Sequence, residues 1–364
     1  MTYATELPFL RSRGPVTTLT GAARAHILGE RAGQSPAGER IGGDGYPGRV
    51  ILLTGATGVV GGQLLPLLLE AGHRVRALVR EPRRLGAQRV NVQISLGDLN
   101  DPFSMRHAMR GVDTIVHLAA TIRDQPGGTI EELNALATAR LLRSAERAGV
   151  ERFLFFSAMG ATNFQRTRFF QAKALAEHAV RRAPMDTTVF APSIVYAPGD
   201  PWLTLLERFS LLPAVPVSGS GQARYQPIWA QDVARCVAAS LDEDQQDDRG
   251  RSDAGSHERP LSKSNGSGPT LGPKYELAGP QTLSYDGIVA QVLEAKGRER
   301  PLVHVPLPVV RAGLRGLELV SGSSAFATWD EAELMEVPMT TERGLEDAER
   351  LGVEPRPMAD VLNG

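Results

Sequence analysis

The sequence predicts a doubly wound α/β protein, a parallel sheet with helices on both faces, with a small α/β lobe in its C-terminal part. Three observations carry that expectation. The short apolar run Val50-Ile51-Leu52-Leu53 leads straight into a glycine-rich turn, "TGATGVVGG". From there to about residue 196, short β-branched or aromatic runs alternate with helical stretches, the rhythm of parallel pairing through right-handed crossovers. Hydrophobic residues make up 42% of the 364-residue chain and charged residues 22%, the balance of a water-exposed globular protein with a sizeable core.

Residues 1–47 are rich in Gly, Ser, Arg and Pro and lack periodicity, so they read as a mobile N-terminal extension. Their acidic residues Glu6, Glu30, Glu39 and Asp44 argue against an organelle transit peptide, and no charged-then-apolar leader opens the chain. The expected address is cytoplasmic. Order starts at the Val50 strand. "VVGGQLLPLLLEAG" follows as a helix ended by Gly72, then the strand "RVRALVR", the strand "NVQISLGDL" and the helix "DPFSMRHAMRG". "DTIVHLAA" is a fourth strand, "TIEELNALATARLLRSAERAG" a long helix and "ERFLFFSA" a fifth strand. The helix "RFFQAKALAEHAV" and the strand "TTVFAPSIVY" complete a nucleotide-binding domain over 48–200.

Residues 201–364 form a C-terminal lobe that completes the fold. "QPIWAQDVARCVAASL" ends in an amphipathic helix. Segment 243–273 is polar and rich in Gly and Ser, so it reads as a disordered insertion. "KYELAGPQTLSYDGIVAQVLEAKG" resumes with a strand and a helix, and "PLPVVRAGLRGLELV" is a further helix. No apolar run reaches the length of a membrane-spanning helix. A net charge of -1 favours neither nucleic acid nor an anionic surface. Cys236, the lone cysteine, excludes an intramolecular disulfide and reads as a buried core thiol. The seven histidines show no metal-ligand spacing.

Gly55, Gly58 and Gly61, between a strand and a helix, point to a dinucleotide. Glycine allows the tight turn and close backbone approach to a pyrophosphate, which then faces helix N-terminal N–H groups. The second strand ends at Arg80, with Arg83 and Arg84 behind it. Arginine there suits a 2′-phosphate, so NADP(H) is expected in preference to NAD(H), with Glu81 as the dissenting residue. Of 40 basic residues only four are lysine, and Lys173 is the first of them, which marks it for attention.

In order, "TGATGVVG", "GDL" (97–99), "VHLAA" (116–120), "NALATARLL", "FFSA" and "APSIVYAPGD" resemble the extended and atypical short-chain dehydrogenase/reductases, over roughly residues 49–362. Within that superfamily, "YQPIWAQDVARCV", "YELAGPQTLSY" and "LGVEPRPMADVL" look most like the branch containing the nucleotide-binding accessory subunit of respiratory complex I and its bacterial relatives. NmrA-like proteins and sugar-nucleotide epimerases are close neighbours. The resemblance implies a Rossmann-type domain. In it Gly55, Thr57, Gly58, Val59, Val60 and Gly61 line the pyrophosphate, Arg80 stands by the ribose, and Asp98 and Leu99 lie by the adenine. Ala119 and Ala120 flank the nucleotide, and Pro192 to Ile194 lie beside the nicotinamide. Ser157 falls at the catalytic serine, Lys173 at the ribose-binding lysine and Asn134 at the helix asparagine.

One position departs from the pattern. Phe169 stands where the family's catalytic tyrosine would be, four residues before Lys173. Phenylalanine has no proton to give while hydride moves at a nicotinamide. Tyr196 and Tyr225 lie on other elements, and His117, on an apolar strand, reads as a satisfied core residue. Trp202, Trp229 and Trp329 are scattered and suggest core or pocket lining. Two functions remain open on these residues. One is an NADP(H)-binding protein whose cofactor is structural or sensory, serving as an accessory subunit in a protein complex. The other is an NADPH-dependent reductase or isomerase of a small-molecule substrate that uses another acid.

Overall fold

The computed structural model describes residues 50–253, 271–321 and 329–364. The expected extension over 1–47 lies outside them. The nucleotide-binding half comprises β1 (Val50–Thr54), α1 (Val59–Glu70), β2 (Arg74–Val79), a 3-10 stretch (Pro82–Val90), β3 (Gln93–Leu96), α2 (Pro102–Ala108) and β4 (Thr114–His117). A π-turn (Glu132–Leu136) then leads into α3 (Ala137–Ala148), followed by β5 (Arg152–Phe156), α4 (Arg168–Val180) and β6 (Asp186–Pro192).

The lobe that follows holds β7 (Val195–Tyr196), α5 (Pro201–Phe209), β8 (Val215–Ser218), β9 (Arg224–Tyr225), β10 (Ile228–Trp229) and α6 (Ala230–Asp253). Then come β11 (Lys274–Leu277), β12 (Leu283–Ser284), α7 (Tyr285–Ala295), β13 (Leu302–Val305) and α8 (Leu307–Ser321). The chain closes with α9 (Trp329–Leu334), α10 (Glu346–Arg350) and α11 (Met358–Asn363).

Seven strands form one parallel sheet in the order β11-β6-β5-β4-β1-β2-β3. The order reverses between β1 and β4, the switch point at which doubly wound sheets bind ligands beyond their strand C-termini. β1 is buried at all five positions, as a central strand covered on both faces must be. On α1 the buried residues are Gly61, Leu64, Leu65 and Leu68, the spacing of one helical stripe. Each of those leucines contributes about 1.5–3 kcal/mol by burial. Leu68→Ala, which opens a hole in that stripe, costs about 2–5 kcal/mol.

The division at residue 200 is not clean in space. α6 packs Val233, Cys236 and Val237 into the same core as α1, and β11 is the outermost strand of the main sheet. Cys236 is buried, as its sequence context suggests, and burial pushes its thiol up to about 12. The expected disordered insertion needs correcting at both ends. α6 continues to Asp253, because elongating a nucleated helix through Glu, Gln and Arg costs little. At the other end, Val189 N–H donates to Pro273 O at 2.9 Å, so the chain already runs along β6 before β11 begins. The middle of the segment, 254–270, lies outside the described residues. The lobe itself packs Tyr196, Tyr225, Tyr285, Ile288 and Met358 into a separate core. No helix among the described residues is long and apolar enough to cross a membrane.

Candidate dinucleotide site

The glycine turn joins β1 to α1 at the C-terminal edge of the sheet. Gly55 has φ +75°, and a Cβ there would lie 2.7 Å from Ala119 N. A Cβ on Gly61 would lie 2.1 Å from Gly55 O. Only glycine fits either position, so the turn, the helix and the loop after β4 are drawn together as one cradle. Gly58, the N-cap of α1, offers no side-chain bond to the first turn, and Gly58 and Val59 are exposed. The free N–H groups and positive end of a twelve-residue helix therefore face outward, as a pyrophosphate requires. These residues fit a dinucleotide.

The other residues expected at the nucleotide gather along the same edge. Ala119 N–H approaches the Thr54 hydroxyl at 3.4 Å, which places Ala119 and Ala120 against the turn. Gly97 N–H donates to Val79 O at 3.1 Å, bringing Asp98 and Leu99 beside Arg80. Asp98 is engaged by Asn100 N–H at 2.8 Å. Arg80, Arg83 and Arg84 are exposed. Pro192 closes the far side, its carbonyl accepting from Met159 N–H at 2.9 Å.

At the chemical end the side chains already have partners. Lys173 is 3% exposed. Its Nζ donates to Phe156 O at 2.6 Å and lies 5.0 and 5.8 Å from the ring centres of Phe155 and Phe169. Burial pushes its ammonium down to about 7. The Ser157 hydroxyl donates to Glu177 Oε2 at 2.7 Å, and Glu177 also pairs with Lys274 at 2.9 Å. Ser157 is thereby tied to the back of α4, one turn beyond Lys173.

Asn134 sits in the π-turn, a geometry often kept at functional positions. Its Nδ2 donates to Thr121 O and Ile130 O, each at 2.8 Å, and its Oδ1 accepts from Thr121 N–H at 3.2 Å. It fastens the loop after β4.

His117 is the satisfied core residue its strand implies. Thr138 donates its hydroxyl proton to Asn134 O at 2.6 Å, so its oxygen accepts from His117 Nε2–H at 2.9 Å. Nδ1 then accepts from Thr54 at 2.7 Å. Burial, and after it the charge of Lys173, lower the imidazole to about 3, so the ring is neutral.

Phe169 packs with Phe170, Ala158, Leu334 and Val337, the last two from α9 and the turn after it. Neither tyrosine noted in the sequence replaces it. Tyr196 and Tyr225 belong to the core of the lobe, and the Tyr225 hydroxyl donates to Met335 O at 2.5 Å. Sequence reasoning missed Glu177 and Lys274. Glu177 was within reach as the i+4 neighbour of Lys173 on one helix face. Lys274 carries the same rarity that singled out Lys173. Among the described residues no group of His, Cys, Asp and Glu could hold a metal ion.

Comparison with known proteins agrees with this geometry. Residues 55–244 match the family model described as NAD(P)H-binding. A mitochondrial NADH dehydrogenase [ubiquinone] 1 alpha subcomplex subunit 9 of Arabidopsis thaliana is 26% identical over 277 residues, 73% of this chain and 62% of that protein. A ceramide reductase of Caulobacter vibrioides is 30% identical over 194 residues, 52% of this chain and 60% of the other. The chain thus spans about three fifths of the length of these relatives. Among solved structures, a nucleoside-diphosphate-sugar epimerase of Staphylococcus aureus superposes with TM-score 0.64 at 18% identity, covering 86% of this chain and 99% of that one. A triphenylmethane reductase of Citrobacter superposes with TM-score 0.63, also at 18% identity, covering 86% and 98%. These two share the fold. With its glycine cradle inside the matched span, the chain belongs to the NAD(P)H-binding family.

Proposed function

We propose that this protein holds NADP(H) as a structural or sensory cofactor and acts in an accessory role rather than through phenol-assisted hydride chemistry. One observation carries the reading. The phenyl ring of Phe169 occupies the tyrosine position and packs against Leu334 and Val337, while the nearby hydroxyl of Ser157 is bonded to Glu177. A bound nicotinamide would supply a hydride; Phe169 has no phenol to supply the matching proton, and the Tyr225 hydroxyl is already bonded to Met335 O. Relatives named as a respiratory-complex subunit and as the photosystem II assembly factor Ycf39 of Cyanophora paradoxa, 26% identical over 141 residues, support the accessory role. Arg80 at the tip of β2 supports the 2′-phosphate preference.

A second reading rests on Lys173. Its ammonium, near 7, exchanges its proton at neutral pH, where general acids work best. A ceramide reductase among the relatives supports a reductase on this reading. Single-turnover oxidation of bound NADPH, with a panel of carbonyls and quinones, separates the two. The accessory reading expects tight NADPH binding with turnover far below about 10 s⁻¹, the enzyme median. It also expects Phe169→Tyr to leave binding intact. Fast reduction by the wild type would overturn it.

A further inference from the structure

A strap of the C-terminal lobe, residues 334–341, crosses the end of the cleft that holds Phe169. Leu334, Met335, Val337 and Met339 pack with Ala158, Phe169 and Phe170. Pro338 O comes so close to Gly160 that a Cβ there would stand 3.3 Å from it. Beyond this contact the strap is fastened by hydrogen bonds. Ser193, buried between the two residues expected beside the nicotinamide, donates its hydroxyl to Met339 O at 2.7 Å. Met339 N–H donates to Arg224 O at 2.9 Å. Thr341 donates its N–H to Gln226 Oε1 at 2.7 Å and its hydroxyl to Glu276 Oε2 at 2.6 Å. The other end, α9, is attached differently. Asp330 meets Arg168 at 3.6 Å, Glu331 meets Arg123 at 3.0 Å, and all four side chains reach solvent. One end is thus tied by a set of hydrogen bonds, the other by ion pairs that water and salt weaken.

We propose that α9 and the strap form a lid over the nicotinamide end of the dinucleotide site, hinged at residues 339–341 and latched by Asp330 and Glu331. Closed, the lid lays four apolar side chains over the Phe169 end, the side from which a second reactant would approach. Such a reactant reaches the nicotinamide only after the latch gives way. The unequal attachments set the direction of movement. Partly exposed ion pairs each shift an equilibrium by a few-fold at most, whereas the hinge holds four hydrogen bonds to three separate stretches of chain, around Ser193, Arg224 to Gln226, and Glu276. Unbranched Met335 and Met339 can repack as α9 moves. The proposal rests on a dinucleotide lying along the sheet edge, as the proposed function has it, and adds a control on access that neither cofactor binding nor the missing phenol requires.

The test uses the full chain with and without NADPH. Emission from the reduced nicotinamide is titrated with acrylamide, a neutral collisional quencher, and amide hydrogen exchange is followed across residues 330–341. The expected result is a quenching constant for bound NADPH several-fold below that of free NADPH. Leu334→Ala combined with Val337→Ala should raise it toward the free value. Asp330→Asn combined with Glu331→Gln leaves the apolar cluster intact. It should speed exchange at 331–337 by roughly three- to tenfold and leave 339–341 nearly unchanged. High salt should act on the wild type in the same direction. Bound NADPH quenched as readily as free NADPH, or exchange at 331–337 unmoved by loss of the two latch charges, would overturn the proposal. The exchange measurement decides without NADPH as well, so failure of NADPH to bind would bear on the cofactor reading alone. A shielded nicotinamide in a protein that reduces carbonyls fast would keep the lid and overturn the accessory reading.

Discussion

The two ends of the cleft are built from different materials. At the phosphate end, Gly55 and Gly61 act through the side chains they lack, leaving backbone N–H groups and a helix terminus to meet the ligand. At the end that holds Phe169, the expected site residues Lys173, Ser157 and Asn134 carry polar side chains, and each is held by another protein group. Grip and chemistry are therefore separable. Phe169 carries no hydroxyl, and the glycine cradle, made of backbone, does not depend on that side chain.

The separation breaks most sharply at Gly61. A methyl there would stand 2.1 Å from Gly55 O, with backbone atoms of Ala56 at 2.8 Å, and backbone cannot swing aside. Gly61→Ala should abolish NADPH binding and cost about 3 kcal/mol or more, as overpacking against fixed atoms does. Gly62, one residue on, has open space around its Cβ direction. Gly62→Ala should bind normally and gain about 0.5–1 kcal/mol of stability. Urea midpoints and calorimetric titration check both. If the two variants behave alike, the cradle is not what holds the cofactor.

Asn134 sharpens the comparison from the other end. Its amide satisfies Thr121 N–H, Thr121 O and Ile130 O, and at 2% exposure no water replaces it. Asn134→Ala should cost about 2–4 kcal/mol by orphaning buried backbone groups. The loss should appear in the urea midpoint before it appears in cofactor affinity. A variant with wild-type stability and lost turnover would make Asn134 catalytic instead.

How far the sequence reached follows the same division. Gly55, Gly58, Gly61 and the alternating strands were legible because local backbone geometry decides which residues fit there. The parallel sheet and the strand at Lys274 followed from the same rhythm, whereas Pro192 was given by the family resemblance alone. The Ser157–Glu177–Lys274 link was not legible, since it joins β5, α4 and β11 across 97 residues between Glu177 and Lys274, and only the folded sheet brings those elements together. The extent of α6 was misjudged for a different reason. Polar composition measures how little a segment buries, and a helix already nucleated by Val233 and Val237 can extend through residues that bury nothing.

Arg80 tests cofactor choice, a smaller effect. It is exposed at the end of β2, so its contribution is limited to charge-assisted hydrogen bonds with a 2′-phosphate. Arg80→Ala should weaken NADPH by about 1.5–3 kcal/mol and leave NADH nearly unchanged. Titration of both variants with both cofactors reads it directly. Equal wild-type affinities for NADPH and NADH would remove the expected preference and leave the phosphate cradle untouched.

The smallest effect concerns the proton on Lys173. Its folded-state pKa is lowered from 10.5 to about 7 by burial. Between those values the unfolded chain binds a proton that the folded chain does not, so stability rises with pH across that window. Below about 7 both states carry the proton and the burial penalty is constant. His117 titrates at lower pH, near 3 when folded, and adds no slope here. Cys236, pushed up to about 12 from 9.0, lowers stability only as pH passes the unfolded thiol value. The clean interval is therefore pH 7 to 9. Lys173→Met keeps the apolar stem and removes the charge. Wild-type stability relative to that variant should climb by about 1 kcal/mol per pH unit over the interval, measured by urea unfolding at fixed ionic strength. A flat difference would mean that Lys173 stays charged when folded, held by Phe156 O and the two phenyl rings, and that it serves the site only as a fixed cation.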